Sequence, residues 1–122
     1  MRRLLLVGIV VLVSSLTDAC GGGAVLDKPR PTIEQLLERA NNGDIDALFD
    51  LGNRYSNGDG IARDNVLAYK WFGLAAEFLN NEKRYQALRM QQLLDSEMFR
   101  HQIAEAERLG RIWKDDQRSN SR

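Results

Sequence analysis

A chain of 122 residues has room for one domain, and 43% apolar with 28% charged residues is ordinary for a globular protein. Formal net charge is zero, and it becomes −1 without residues 1–19, which carry Arg2, Arg3 and Asp18. That balance gives no electrostatic footprint for nucleic acid, which calls for a basic face, and it does not favour an anionic membrane surface.

The chain opens with the pattern of a signal peptide over residues 1–19. Met1-Arg2-Arg3 is a positive start, Leu4–Val13 is an apolar run, and Ser14–Ala19 turns polar and ends on a small residue. The run is shorter than the roughly 20 residues that span a bilayer. Cys20 follows directly. It is the only cysteine, so no intramolecular disulfide can form. The segment Ser15-Leu16-Thr17-Asp18-Ala19-Cys20 resembles a bacterial lipoprotein cleavage box, with its leucine one position further from the cysteine than the box has it. The resemblance implies acylation of Cys20. With Gly21 rather than aspartate next, it implies an outer-membrane lipoprotein facing the periplasm. Two other readings stay open: simple export with cleavage after Ala19 or Ala24, giving a soluble periplasmic or secreted protein, and a retained single-pass anchor.

Residues 20–31 read as a flexible tether, rich in glycine and proline (Gly21–Gly23, Pro29, Pro31) and without helical period. The folded domain is expected over residues 32–114. Thr32 with Gln35 makes a capping box for a first helix with the stripe Ile33, Leu36, Leu37 and Ala40, which ends at Asn41-Asn42-Gly43. Asp44 caps a second helix whose inward stripe is Ala47, Leu48, Leu51, Gly52 and Tyr55. Gly52 in mid-helix costs about 1 kcal/mol against alanine. Its place there predicts the close approach of another backbone. Asn57-Gly58-Asp59-Gly60 is a turn with Ile61 tucked under it, and Asp64 caps a third helix to about Leu79.

That third helix is apolar on two sides. One stripe is Ala68, Trp71, Phe72, Ala75, Ala76 and Leu79, and another is Leu67, Leu74 and Phe78 sharing Trp71. A helix apolar over most of its circumference lies between neighbours, so it is expected at the centre of the domain. A fourth helix is predicted from Glu82 to Leu94. Asp95 or Ser96 then caps a fifth to about Lys114, with the stripe Phe99, Ile103, Ala106, Leu109 and Trp113, and residues 115–122 form a polar, frayed tail.

Ala47-x-x-x-Leu51-Gly52-x-x-Tyr55-x-x-Gly58-x-Gly60-Ile61-x-x-Asp64-x-x-x-Ala68-x-x-Trp71-x-x-x-Ala75-Ala76 resembles one Sel-1-like repeat, of the tetratricopeptide-like helix-pair family. Ile103–Trp113 is similar to the closing helix that follows such repeats. The resemblance implies an all-α fold: a short α-solenoid of antiparallel helix pairs, about five helices, with one clear repeat flanked by capping helices. A second full repeat is missing, because no Leu-Gly or Tyr-x-x-Gly follows Ala87. A single copy falls short of the roughly three such arrays need, so the flanking helices must close it, and an apolar end leaves room for a homo-oligomer.

Sharper chemistries fail on spacing. A calcium loop over Asn57–Gly60 would put its first ligand on Tyr55 and its closing acid on Val66, neither of which coordinates. His101 and Glu105 share a helix face as a solvated pair, without the further ligands a metal needs. Cys20 has no histidine beside it to make a nucleophile, and Gly21–Gly23 lacks the Lys-Ser/Thr of a phosphate loop. No metal, cofactor or catalytic set is predicted, and the chain reads as a non-enzyme. The family resemblance implies a protein-protein interaction module, an adaptor or scaffold at the cell envelope. A protein partner is expected, with membrane attachment through the lipid on Cys20 and no nucleic acid. The candidate partner-binding residues are Asp46, Asp50, Asn53 and Arg54, on the outward side of the second helix. The alternatives are a periplasmic inhibitor or immunity-type factor and an accessory protein acting on the cell wall.

Overall fold

The computed structural model describes residues 28–122, of which Pro31–Arg122 form one unit. The leader over 1–19, Cys20 and the glycine tether lie outside the described residues. The fold is all-α. Five helices follow in order: α1 (Ile33–Asn41), α2 (Ile45–Asn57), α3 (Asn65–Phe78), α4 (Glu82–Glu97) and α5 (Arg100–Asn120). No strand occurs among the described residues.

The first three helices start where side chains can satisfy their free amides. Thr32 and Gln35 close a full capping box: the Gln35 amide N–H donates to Thr32 Oγ1 at 3.2 Å, and the Thr32 N–H donates to Gln35 Oε1 at 2.9 Å. Asp44 accepts from the Asp46 N–H at 3.1 Å, and Asp64 from the Leu67 N–H at 3.0 Å. Between α2 and α3 the chain reverses on Gly58, whose φ of +66° is the left-handed conformation that a helix C-terminus favours. The Asp64 N–H then donates to the Tyr55 carbonyl at 3.0 Å and ties the far side of the turn to the end of α2.

The core sits around α3, which packs against α2, α4 and α5, while α1 covers the other side of α2. Ala68, Phe72 and Ala75 of α3 have no exposed surface, and neither have Ala47 and Leu51 of α2. Burying a side chain such as Phe72 stabilises by about 1.5–3 kcal/mol relative to leaving it in water. Of the second expected stripe of α3, Leu74 is buried, Leu67 is half-buried and Phe78 is 44% exposed. Gly52 meets a side chain rather than a backbone: a Cβ there would lie 2.7 Å from Cδ1 of Phe72. The glycine makes room for a ring.

The last two helices depart from the expected boundaries. Helix α4 continues through Asp95 and Ser96 to Glu97, and the Ser96 hydroxyl donates back to the Leu93 carbonyl at 2.6 Å instead of capping a new helix. Helix α5 starts after Phe99, whose N–H donates to Gln102 Oε1 at 2.9 Å. Phe99 is therefore outside the α5 stripe and 71% exposed. The buried face of α5 is Ala106 and Gly110, flanked by half-buried Ile103 and Trp113. Residues 115–120 are helical rather than a frayed tail, with Arg118 paired to Asp115 at 3.4 Å and Ser119 donating to the Asp115 carbonyl at 3.1 Å. Helices α4 and α5 both pack chiefly on α3, and the five helices together make a short, repeat-like all-α fold.

Candidate functional site

The repeat-like residues are packing and turn residues. Ala47, Leu51, Ala68 and Ala75 are fully buried, and Trp71, Tyr55 and Ala76 expose no more than 6% of their surface. Gly52 is buried against Phe72. Gly58 and Gly60 hold the turn at φ of +66° and +77°, and Asp64 caps α3. The buried members build the α2–α3 seam, while Gly58 and Gly60 are exposed at the turn.

Two of the four outward residues of α2 make contacts within the domain. Arg54 donates from Nη2 to the Pro31 carbonyl at 2.8 Å and from Nη1 to the Asp59 carbonyl at 3.4 Å, and its side chain is 14% exposed. It clamps the approach to α1 onto the α2–α3 turn. Asp46 accepts from Lys83 Nζ at 2.7 Å and so bridges the starts of α2 and α4. That hydrogen bond, with the charges of Asp46, Asp50 and Asp44 adding to it, holds the Lys83 ammonium above its ordinary range. Asp50 and Asn53 are half-buried. The Asp46 side chain stays 54% exposed beside its contact with Lys83.

His101 and Glu105 do not pair. His101 stacks on Phe99, ring planes 6° apart and centroids 5.9 Å apart, while Glu105 takes both nitrogens of the Arg108 fork at 2.6 and 2.8 Å. In the Asn57–Gly60 turn the Asp59 carboxylate lies 3.8 Å from Arg54 Nε. Among the described residues no three His, Cys, Asp or Glu side chains gather where a metal could sit.

A different place has the form of a binding site. The α1–α2 turn, the end of α3 and the last turns of α5 enclose a cleft of about 360 Å³. Its apolar lining is Ile45, Leu48, Phe78 and Trp113, and Asp44, Glu77, Lys114 and Arg118 bring charge to its edge. Such a volume lies at the small end of ligand-sized pockets, and an apolar floor with a polar edge is their usual chemistry. Ile45 and Phe78 remain 40% and 44% exposed here, although each belongs to a helix with a buried face elsewhere.

Trp113 is the fixed wall of this cleft. Its indole N–H donates to Asn41 Oδ1 at 3.2 Å, joining the end of α1 to α5. Its ring stands edge-on to Trp71 at 6.1 Å and to Phe78 at 6.2 Å, the perpendicular arrangement that aromatic quadrupoles favour. Gly43, at φ +90°, turns the chain sharply enough to bring Asp44 and Ile45 over this wall. Lys114 Nζ reaches the Glu77 carboxylate at 3.0 Å and ties α5 to α3 beside it. Sequence periodicity marked Trp113 and Leu48 as apolar, but the cleft draws on three separate segments spread between Ala40 and Ser121.

No helix among the described residues is long and apolar enough to cross a membrane. Comparison with protein-family models, with curated proteins and with solved structures finds no match to this chain.

Proposed function

We propose that this chain is a non-enzymatic protein-interaction module of the bacterial cell envelope, held at the outer membrane by a lipid on Cys20 and facing the periplasm. The observation that carries the reading is the cleft at Ile45, Phe78 and Trp113. Its large apolar side chains stay partly open to water on a domain that has a well-filled core elsewhere. Such a patch, recessed and edged by charge, is where a protein partner gains most from burying an apolar side chain of its own. The occupant we assign is therefore an apolar side chain of a protein partner, guided by the charges of Asp44, Glu77, Lys114 and Arg118 around it.

Membership of the Sel-1-like repeat family belongs to the same proposal. The residues that carry the resemblance are those that build the α2–α3 seam, as the repeat requires.

Site-specific photo-crosslinking in cells tests the reading. A crosslinking residue at Ile45 should give one discrete adduct that disappears in a Phe78→Glu background, while the same residue at Tyr85, which is 72% exposed on α4, should not give it. Equal adducts from both positions, indifferent to Phe78, would overturn the proposal.

A further inference from the structure

Helices α4 and α5 both rest chiefly on α3, and a second cavity of about 340 Å³ lies among the three. Its chemistry differs from that of the apolar cleft. Gly73 and Gly110 line it without side chains, and Gln91 swings its amide over Gly73, with Nε2 2.7 Å from where a Cβ would stand. Lys70, half-buried, also lines it.

Lys70 brings a half-buried charge to this cavity. Its ammonium sits 4.0 Å from the centroid of the Trp71 ring, and among the described residues that is its one recorded interaction. Burial pushes its amine below the ordinary lysine value, and no neighbouring acid offsets this. Of the two acids on the lining, Glu77 is held by Lys114 at 3.0 Å and Glu107 is exposed on α5. A half-buried ammonium keeps three donors, and the face of an indole satisfies charge but accepts few hydrogen bonds. With Arg111 and Lys114 also on its lining, the cavity has three cations to two acids, Glu77 and Glu107.

We propose that this cavity receives the side-chain carboxylate of an aspartate or glutamate from the protein partner, with Lys70 as its counter-charge and the Gln91 amide as a second donor. The inference rests on the protein-docking reading above and adds the partner's chemistry to it. Glu77 and Lys114 line both cavities, so the two adjoin. A short segment presenting one apolar and one acidic side chain fits the pair. A carboxylate on a partly desolvated ammonium forms a charge-assisted hydrogen bond, about twice as strong as a neutral one.

The test is an NMR titration of the full chain with N-acetyl-Phe-Asp-amide, N-acetyl-Phe-Asn-amide and acetate. The aspartyl peptide should shift the Gly73 and Gly110 amides together with the Trp113 indole N–H, the asparaginyl peptide the Trp113 signal alone, and acetate the glycines alone. Lys70→Met keeps the stem over Trp71 and should weaken the aspartyl peptide roughly tenfold while leaving the asparaginyl peptide unchanged; Lys70→Arg should restore binding. If the two peptides bind equally and Gly73 and Gly110 stay silent, the carboxylate site is wrong and the apolar cleft stands. If neither peptide moves Trp113, the docking reading itself fails, and glycine shifts with acetate would still sustain the carboxylate site.

Discussion

Gly52 on α2 and Phe72 on α3 touch without any space for a methyl group: a Cβ on Gly52 would meet three atoms of the Phe72 ring at 2.7 to 2.9 Å. Phe72 is itself fully buried and stands edge-on to Phe49 at 5.8 Å, so it has no free direction in which to retreat. Gly52→Ala gains about 1 kcal/mol of helix propensity. Overpacking costs typically 1–3 kcal/mol, so the substitution should destabilise the domain by up to about 2 kcal/mol net in urea denaturation. In a Phe72→Leu background the same substitution should cost distinctly less, because the two positions share one volume. Additive losses would contradict this.

Arg54 holds the Pro31 carbonyl, the Asp59 carbonyl and the Asp59 carboxylate from one half-buried guanidinium. Arg54→Met keeps the stem and leaves these acceptors without their donor. It should lower stability by about 1–2 kcal/mol. Hydrogen exchange should quicken selectively at the start of α1 and in the α2–α3 turn, with partner affinity unchanged. Loss of affinity at full stability would return Arg54 to the recognition surface.

The Arg39 hydrogen bond to Asp44, with Nε to Oδ2 at 2.8 Å, holds the Asp44 carboxyl below its ordinary value against the opposing effect of burial. A carboxyl depressed in the folded state stabilises fully above its unfolded value of about 3.9, and that contribution is lost as pH falls through the lower folded value. Asp44→Asn keeps a competent helix cap and removes only the charge. Wild type should therefore exceed the variant in urea midpoint at pH 7, and the gap should close on going from about pH 5 to below 3. A gap constant over that range would show that the Arg39 contact carries no linkage.

Attachment through Cys20 predicts a mature protein beginning at that residue with acyl groups on it. Intact mass of the membrane fraction should show the acylated species for wild type and none for Cys20→Ser. A wild-type mass ending the leader at Ala19 or Ala24 without acyl addition would leave a freely exported domain.

Much of the fold was legible because its signals are local. Thr32 with Gln35, Asp44 and Asp64 each carry their cap within three residues, and the stripes of α2 and α3 repeat at helical spacing. The start of α5 was not legible, since Asp95 and Ser96 have the look of caps while the true boundary rests on the Gln102 side chain and an apolar Phe99. The last turns of α5 carry Asp115, Arg118 and Ser119, which support a helix through their own pairs but leave no apolar period. The binding features were the least legible. Arg54 and Asp46 look free in sequence because Pro31 and Lys83, their partners, lie 23 and 37 positions away. The cleft arises only when Ile45, Phe78 and Trp113 meet in space.

The account turns on that cleft as a docking surface for a protein partner. The most direct measurement is the affinity of the full chain for the protein crosslinked from Ile45, purified and titrated against wild type, Phe78→Glu and Tyr85→Glu. Phe78→Glu should weaken binding at least tenfold, the effect of losing roughly 1.4 kcal/mol, with its unfolding transition kept, while Tyr85→Glu binds as wild type. Equal affinity for all three would contradict the account.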